Sequence, residues 1–190
     1  MALSIAFKEW AAICRALGEG RQALILRKGG IAEVGGEFRP EHDRFLLYPS
    51  YFHEQHHTGI KPELMPLVEA VEQDKPPAGR IPFEHFADVS AIWHFESIDK
   101  ALSLNAFHGW TADEVTKRFH YRTPGLYAMA VRVYRLKAPV DLPEHPEYAG
   151  CKTWVNLEAV VNDADAKPVL ADAAFEKVLG EITSAISDRS

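Results

Sequence analysis

His53-Glu54-Gln55-His56-His57 fits the pattern H-E-x-x-H. On a helix this pattern sets His53 and His57 one turn apart, where both can bind one zinc ion. Glu54 beside them would activate the metal-bound water. A hydrolase of this kind needs a third ligand. His85, His94, His108 and Glu63 qualify by type, but none sits at a recognised spacing. The flanks also oppose a long helix. Pro49 precedes the pattern, and Gly59 and Pro62 close it. That leaves about two turns, short for a catalytic scaffold. The expectation is no cofactor and a solvent-facing turn. The alternative is zinc at His53, Glu54 and His57 in a metal-dependent hydrolase.

Other catalytic patterns are missing. No serine or cysteine lies in a G-x-S-x-G elbow, and no glycine-rich phosphate loop follows a strand. Cys14 and Cys151 form no C-x-x-C pair and read as free thiols. The reading leans away from an enzyme.

A second set of residues suits a polyanion. Arg27-Lys28 stands beside the Gly29-Gly30 turn, where backbone N–H groups can face a phosphate. Lys117-Arg118 and His120-Tyr121-Arg122 interleave basic and aromatic side chains, and "RVYRLK" brings Arg132, Tyr134 and Arg135. Phosphate contacts need Lys or Arg, and stacking on a base needs a flat ring. The candidate nucleic-acid-binding residues are Arg27, Lys28, Tyr48, Arg118, Tyr121, Arg122, Arg132 and Trp154, with Tyr51 and Trp110 as further aromatic candidates. The plain alternative is that each Arg lies on a solvated strand face and each Trp in the core.

Composition sets bounds on these readings. The chain has 190 residues, with 47% hydrophobic and 25% charged side chains, ordinary for a globular protein. The net charge of −6 argues against a surface coated for non-specific nucleic-acid binding. Local basic surface persists, since Thr111 to Lys137 carries six Lys/Arg against two acids. No apolar run approaches the ~20 residues of a membrane span. Lys8, Glu9 and Arg15 break up any signal peptide, so the expected location is the cytoplasm, with no membrane partner.

The elements that would position these residues are short. Ser4 to Leu17 has the periodicity of a helix, with Ile5, Trp10, Ile13, Cys14 and Leu17 on one face. "QALILRKGG" predicts a strand, "IAEVGGEFRPEHD" an exposed loop, and "RFLLY" a strand with a helix starting at Pro49. "PELMPLVEAVEQD" predicts a helix, and Lys75 to Glu84 a Pro-rich internal loop. "FADVSAIWHFESI" alternates as a strand. "IDKALSLNAF" predicts a short helix, and Thr111-Ala112-Asp113-Glu114 is a capping box for another. "LYAMAVRVYRL" is the strongest strand, "KAPVDLPEHPEYAGC" reads as irregular, "KTWVNLE" as a last strand, and Lys167 to Ser187 as a closing helix. Five strands among helices and loops give a single α+β domain over 1–190, a small curved mixed sheet or partial barrel.

"FKEWAAICRALGEGRQALILRKGGI", "FLLYPSYFHEQ", "RFHYRTPGLYAMAVRVYRL" and "PEYAGCKTWVNL" together resemble a bacterial family with no assigned activity, number 1802 among the domains of unknown function. The resemblance covers about Phe7 to Leu157. Members are similar to domains joined to Mrr-type restriction endonucleases, which implies a restriction–modification setting and a possible restriction-system protein partner. The helix, "GRQALILRKGG" and "VRVYRLKAPVDLP" layout also resembles PUA-like domains of the ASCH and EVE types. That implies a pseudobarrel with flanking helices that holds RNA or a modified DNA base, and so DNA or RNA as partner without catalysis. A protein-interaction module of a defence system is the third reading.

Overall fold

Phe45-Leu46-Leu47-Tyr48 is an unbroken apolar run, and all four residues are buried. A strand of this kind has to be covered on both faces. The structure, a computed structural model, describes residues 2–29, 31–34, 37–51, 58–150 and 152–187. The elements in chain order are β1 (Ala2–Trp10), α1 (Ala11–Gly18), β2 (Leu24–Arg27), β3 (Ile31–Val34), β4 (Glu37–Pro40), β5 (Arg44–Ser50), α2 (Met65–Gln73), β6 (Arg80–Phe95), α3 (Ile98–Ser103), α4 (Ala112–His120), β7 (Leu126–Pro143), β8 (Trp154–Asn162), β9 (Lys167–Pro168) and α5 (Asp172–Ser187).

The main sheet runs β2-β7-β6-β5-β1-β8, with β9 also beside β7. It is curved and unclosed. Among the described residues of this sheet, β1 and β5 pair in parallel and the other pairs are antiparallel. This is the expected α+β class with a curved mixed sheet and a closing C-terminal helix. The two faces of β5 serve two cores. Phe45 and Leu47 join a cluster with Phe7, Ile13, Leu17 and Trp110 beneath the helices, while Leu46 and Tyr48 join Phe83, Phe86 and Leu157 on the other face. Phe7 stacks on Phe45 with ring centres 4.9 Å apart, and Trp10 meets Trp110 edge-on at 4.4 Å.

Several expectations are corrected. The helix over Ser4 to Leu17 begins only at Ala11, because Ala2–Trp10 is drawn between β5 and β8 as an inner strand. Tertiary pairing overrides local periodicity here. The loop expected over residues 31–43 contains the β3–β4 pair. β5 continues through Pro49 to Ser50, so no helix starts at that proline. The Pro-rich loop ends at Gly79, and β6 begins at Arg80. β7 runs on through "KAPVDLP" to Pro143. The closing helix starts at Asp172, since Lys167–Pro168 is a strand pair with β7. The capping box holds: the Thr111 hydroxyl accepts from the Glu114 N–H at 3.3 Å. Among the described residues no helix is long and apolar enough to cross a membrane.

Candidate ligand cleft

The β6–β7 ladder shifts register twice, between Val89 and Ala91 and, where it shapes a cleft, between Phe83 and His85. Phe83 pairs with Val140 and His85 with Arg135, so Glu84 alone faces Leu136 to Pro139. Pro139 has no N–H for the ladder, which fits a bulge at this point. The bulge opens a cleft of about 570 Å³. Glu84, His85, Arg135 and Lys137 line it from the sheet. Cys14, Arg15 and Gly18 of α1 line it from one side, and Tyr51, just past β5, from another. A smaller cleft of about 220 Å³ adjoins it. The two share Pro49, Tyr51 and Pro76, and Lys8, Lys75, Arg80 and Glu144 line the smaller one.

Gly18 is required by packing. A Cβ on it would stand 2.6–2.9 Å from the His85 ring. The imidazole therefore lies on the last turn of α1. Arg135 Nε donates to His85 Nε2 at 3.3 Å, and Arg135 Nη2 donates to the Gly18 carbonyl at 3.4 Å. Burial, and then the Arg135 guanidinium, push His85 down to about 4. Near neutral pH the ring is uncharged, accepts at Nε2 and carries its proton on Nδ1. Tyr51 is pushed up to about 12, first by burial, then by Cys14 and Glu84. It remains a protonated donor.

Most charges in the cleft are answered. Arg15 binds Asp74 at 2.6 Å and Glu19 at 3.3 Å, joining α1 to the end of α2. Lys137 reaches Asp165 at 3.1 Å. Arg135 and Glu84 of the larger cleft, and Lys75 of the adjoining smaller one, whose ammonium lies 6.0 Å over the Tyr51 ring, meet no opposite charge among the described residues.

The sequence-predicted basic and aromatic residues do not converge on this cleft. Arg27 lies 4.6 Å over the Phe7 ring, donates to Thr153 Oγ1 at 3.1 Å and stands 3.5 Å from Glu9, whose carboxylate is fully buried. Desolvation, the largest effect, lowers Arg27 from its usual value. Lys28 donates to the carbonyls of Phe119 at 2.9 Å, Gly125 at 2.7 Å and Thr123, and so ties down the turn after α4. Tyr48 is buried and donates to Glu144 at 3.0 Å. Arg118 lies 3.8 Å over Trp110 and binds Glu114 at 2.9 Å. Arg132 binds Asp172 and lies 5.5 Å over Phe175. Trp154 packs edge-on against Phe7 and Phe45 at 4.8 and 5.1 Å. Tyr121 is 57% exposed, with Arg122 over its ring at 5.1 Å. These two alone of the set stand open to solvent with no carboxylate on the Arg among the described residues. Tyr121 and Arg122 line neither cleft.

His53, Glu54 and His57 lie outside the described residues. Among the described residues no three His, Cys, Asp or Glu come together as metal ligands. The sequence reading named His85 only as a metal candidate, placed Arg135 in the basic "RVYRLK" cluster but not among the chosen binding residues, and missed Glu84. Pro139 marks the bulge only once β7 is known to run past it, because in the sequence it falls in a stretch that reads as irregular.

A family model described as Domain of unknown function (DUF1802) matches residues 6–181. The chain belongs to this family. No curated protein matches it. Among solved structures the chain is similar to ASCH from Zymomonas mobilis, at 12% identity over 93% of each chain with a TM-score of 0.43. It is also similar to two point mutants of that protein, at 12% and 11% identity, covering 93% of this chain and 94% and 96% of theirs, with TM-scores of 0.43 and 0.42. These likenesses stand beside the DUF1802 membership and assign it no activity.

Proposed function

We propose that the protein is a nucleic-acid-recognition domain that binds without catalysis and takes one base of a single strand, plain or modified, into the larger cleft. The observation that supports this most is the Arg135 guanidinium, which meets no carboxylate among the described residues and lines a cleft of about 570 Å³ with an aromatic wall. That volume falls within the ~300–1,000 Å³ usual for small-molecule sites. Tyr51 offers a ring face for stacking. Lys75 beside it stands where the chain would pass into the smaller cleft, and its free ammonium suits a phosphate. Tyr121 and Arg122 form an outlying contact for a longer strand. The setting, restriction–modification or RNA processing, follows from the sequence resemblance and belongs to the same proposal.

Fluorescence anisotropy with short single-stranded DNA and RNA, plain and base-modified, tests this reading. Binding should weaken as salt rises, because phosphate contacts release counterions. Arg135→Ala should cost about tenfold or more in affinity, the worth of a charge-assisted hydrogen bond. Tyr51→Ala should cost a similar factor or more, since stacking on one base contributes ~1–3 kcal/mol. No binding at low salt to any of these strands would end the proposal.

A further inference from the structure

Two groups in the larger cleft that meet no opposite charge among the described residues are opposite in sign. Glu84 and Arg135 are brought there by the same bulge, on facing strands. A carboxylate only accepts hydrogen bonds, and a guanidinium only donates them. Arg135 uses two of its five N–H groups, on His85 and on the Gly18 carbonyl, and keeps the rest. A ligand that satisfies both groups must carry N–H donors on one edge and lone pairs on the next. It must also be flat, because Tyr51 and the rings of Pro49, Pro76 and Pro82 form walls.

Few heterocycles meet these terms. Guanine has two N–H donors side by side, at N1 and N2, and two acceptors side by side, at O6 and N7. The amino group of adenine sits between two acceptors, which repel a carboxylate. Uracil has a single N–H between two carbonyls. Cytosine offers one amino group, so one carboxylate oxygen goes unmet. Resting on the nucleic-acid reading above, we infer that the larger cleft is selective for guanine. Glu84 accepts from N1–H and N2–H, Arg135 donates through its Nη atoms to O6 and N7, and Tyr51 covers the ring. His85 is a positioning residue. Its Nε2 takes the Arg135 Nε–H and so aims the guanidinium outward, and it keeps that place because Gly18 has no Cβ.

The test uses the full chain and oligo(dT) strands carrying one central guanine, adenine, cytosine, hypoxanthine or 7-deazaguanine, with binding read by anisotropy. The central guanine should bind more tightly than adenine, cytosine or thymine by about 5- to 150-fold, the discrimination of a good bidentate pair. Hypoxanthine lacks the N2 amino group and 7-deazaguanine lacks N7, so each should lose part of that preference. Glu84→Ala, an exposed position, should erase the gap between guanine and hypoxanthine while leaving the thermal midpoint unchanged. Equal binding to all strands overturns guanine selectivity and leaves the nucleic-acid reading standing. A preference for cytosine or adenine also overturns it. If no strand binds, both readings fall together.

Discussion

The Glu9 carboxylate is fully buried, and one of its oxygens, Oε2, has no hydrogen-bond partner. The Arg27 charge 3.5 Å away is what makes that burial tolerable. Arg27→Ala should therefore destabilise the fold by about 3–5 kcal/mol in denaturant titrations, the usual cost of stranding a buried charge. An unchanged midpoint would return Arg27 to the surface role its sequence position first suggests. Two histidines give a second expectation at this scale. Burial and Arg135 hold His85 near 4, and burial with Lys61 and Arg118 holds His108 near 3, both below the ordinary 6.5. The unfolded chain then binds more protons than the native one as pH falls below about 6.5. The stability present above that pH should decline from 6.5 towards 4. Thermal midpoints across this range should show the decline, and His85→Asn should make it shallower. A flat profile in the parent protein would contradict the burial of both rings.

At the scale of elements, the bulge in β6–β7 and the last turn of α1 make the cleft. Gly18→Ala tests that contact. The new methyl group would displace the His85 ring, so affinity for a single strand should fall severalfold while the thermal midpoint moves only a few degrees. Unchanged affinity would separate His85 from the ligand. Three strands with dense apolar runs were legible in the sequence. β2, β5 and the first half of β7 are dense in aliphatic and aromatic residues, and Thr111 announced α4. β1 was not legible. Ile5, Trp10 and Ile13 fit a helical face as well as a strand, and only pairing with β5 and β8 decides between the two. The extension of β7 past Lys137 was hidden for another reason. Pro139 and Pro143 read as loop residues, and only a partner strand with matching gaps keeps such a segment in the sheet. The cleft was largely illegible because Glu84, His85, Arg135 and Gly18 come from three separate segments. Their meeting depends on the ladder register.

For the whole molecule, the net charge of −6 and the internal pairing of Arg27, Arg118 and Arg132 leave few cations for a polyanion. The account thus requires a small electrostatic footprint. The salt slope of binding should correspond to about one to three phosphates, at ~0.7 per contact for single strands. A much steeper slope would point to a broad basic surface that the structure does not provide. The placement of Arg122 in the turn before β7, outside the residues lining the cleft, makes a further expectation. Arg122→Ala should weaken binding of a long strand and leave a dinucleotide unaffected. The most direct test of the central claim is photocrosslinking of a 4-thiothymidine-substituted single strand, with the attached peptides mapped by mass spectrometry. Crosslinks should fall on Tyr51, on Glu84-His85 and on the stretch from Arg135 to Pro139. Crosslinks confined to the Tyr121–Arg122 corner or to the Arg27 region, with none in the cleft, would contradict the account.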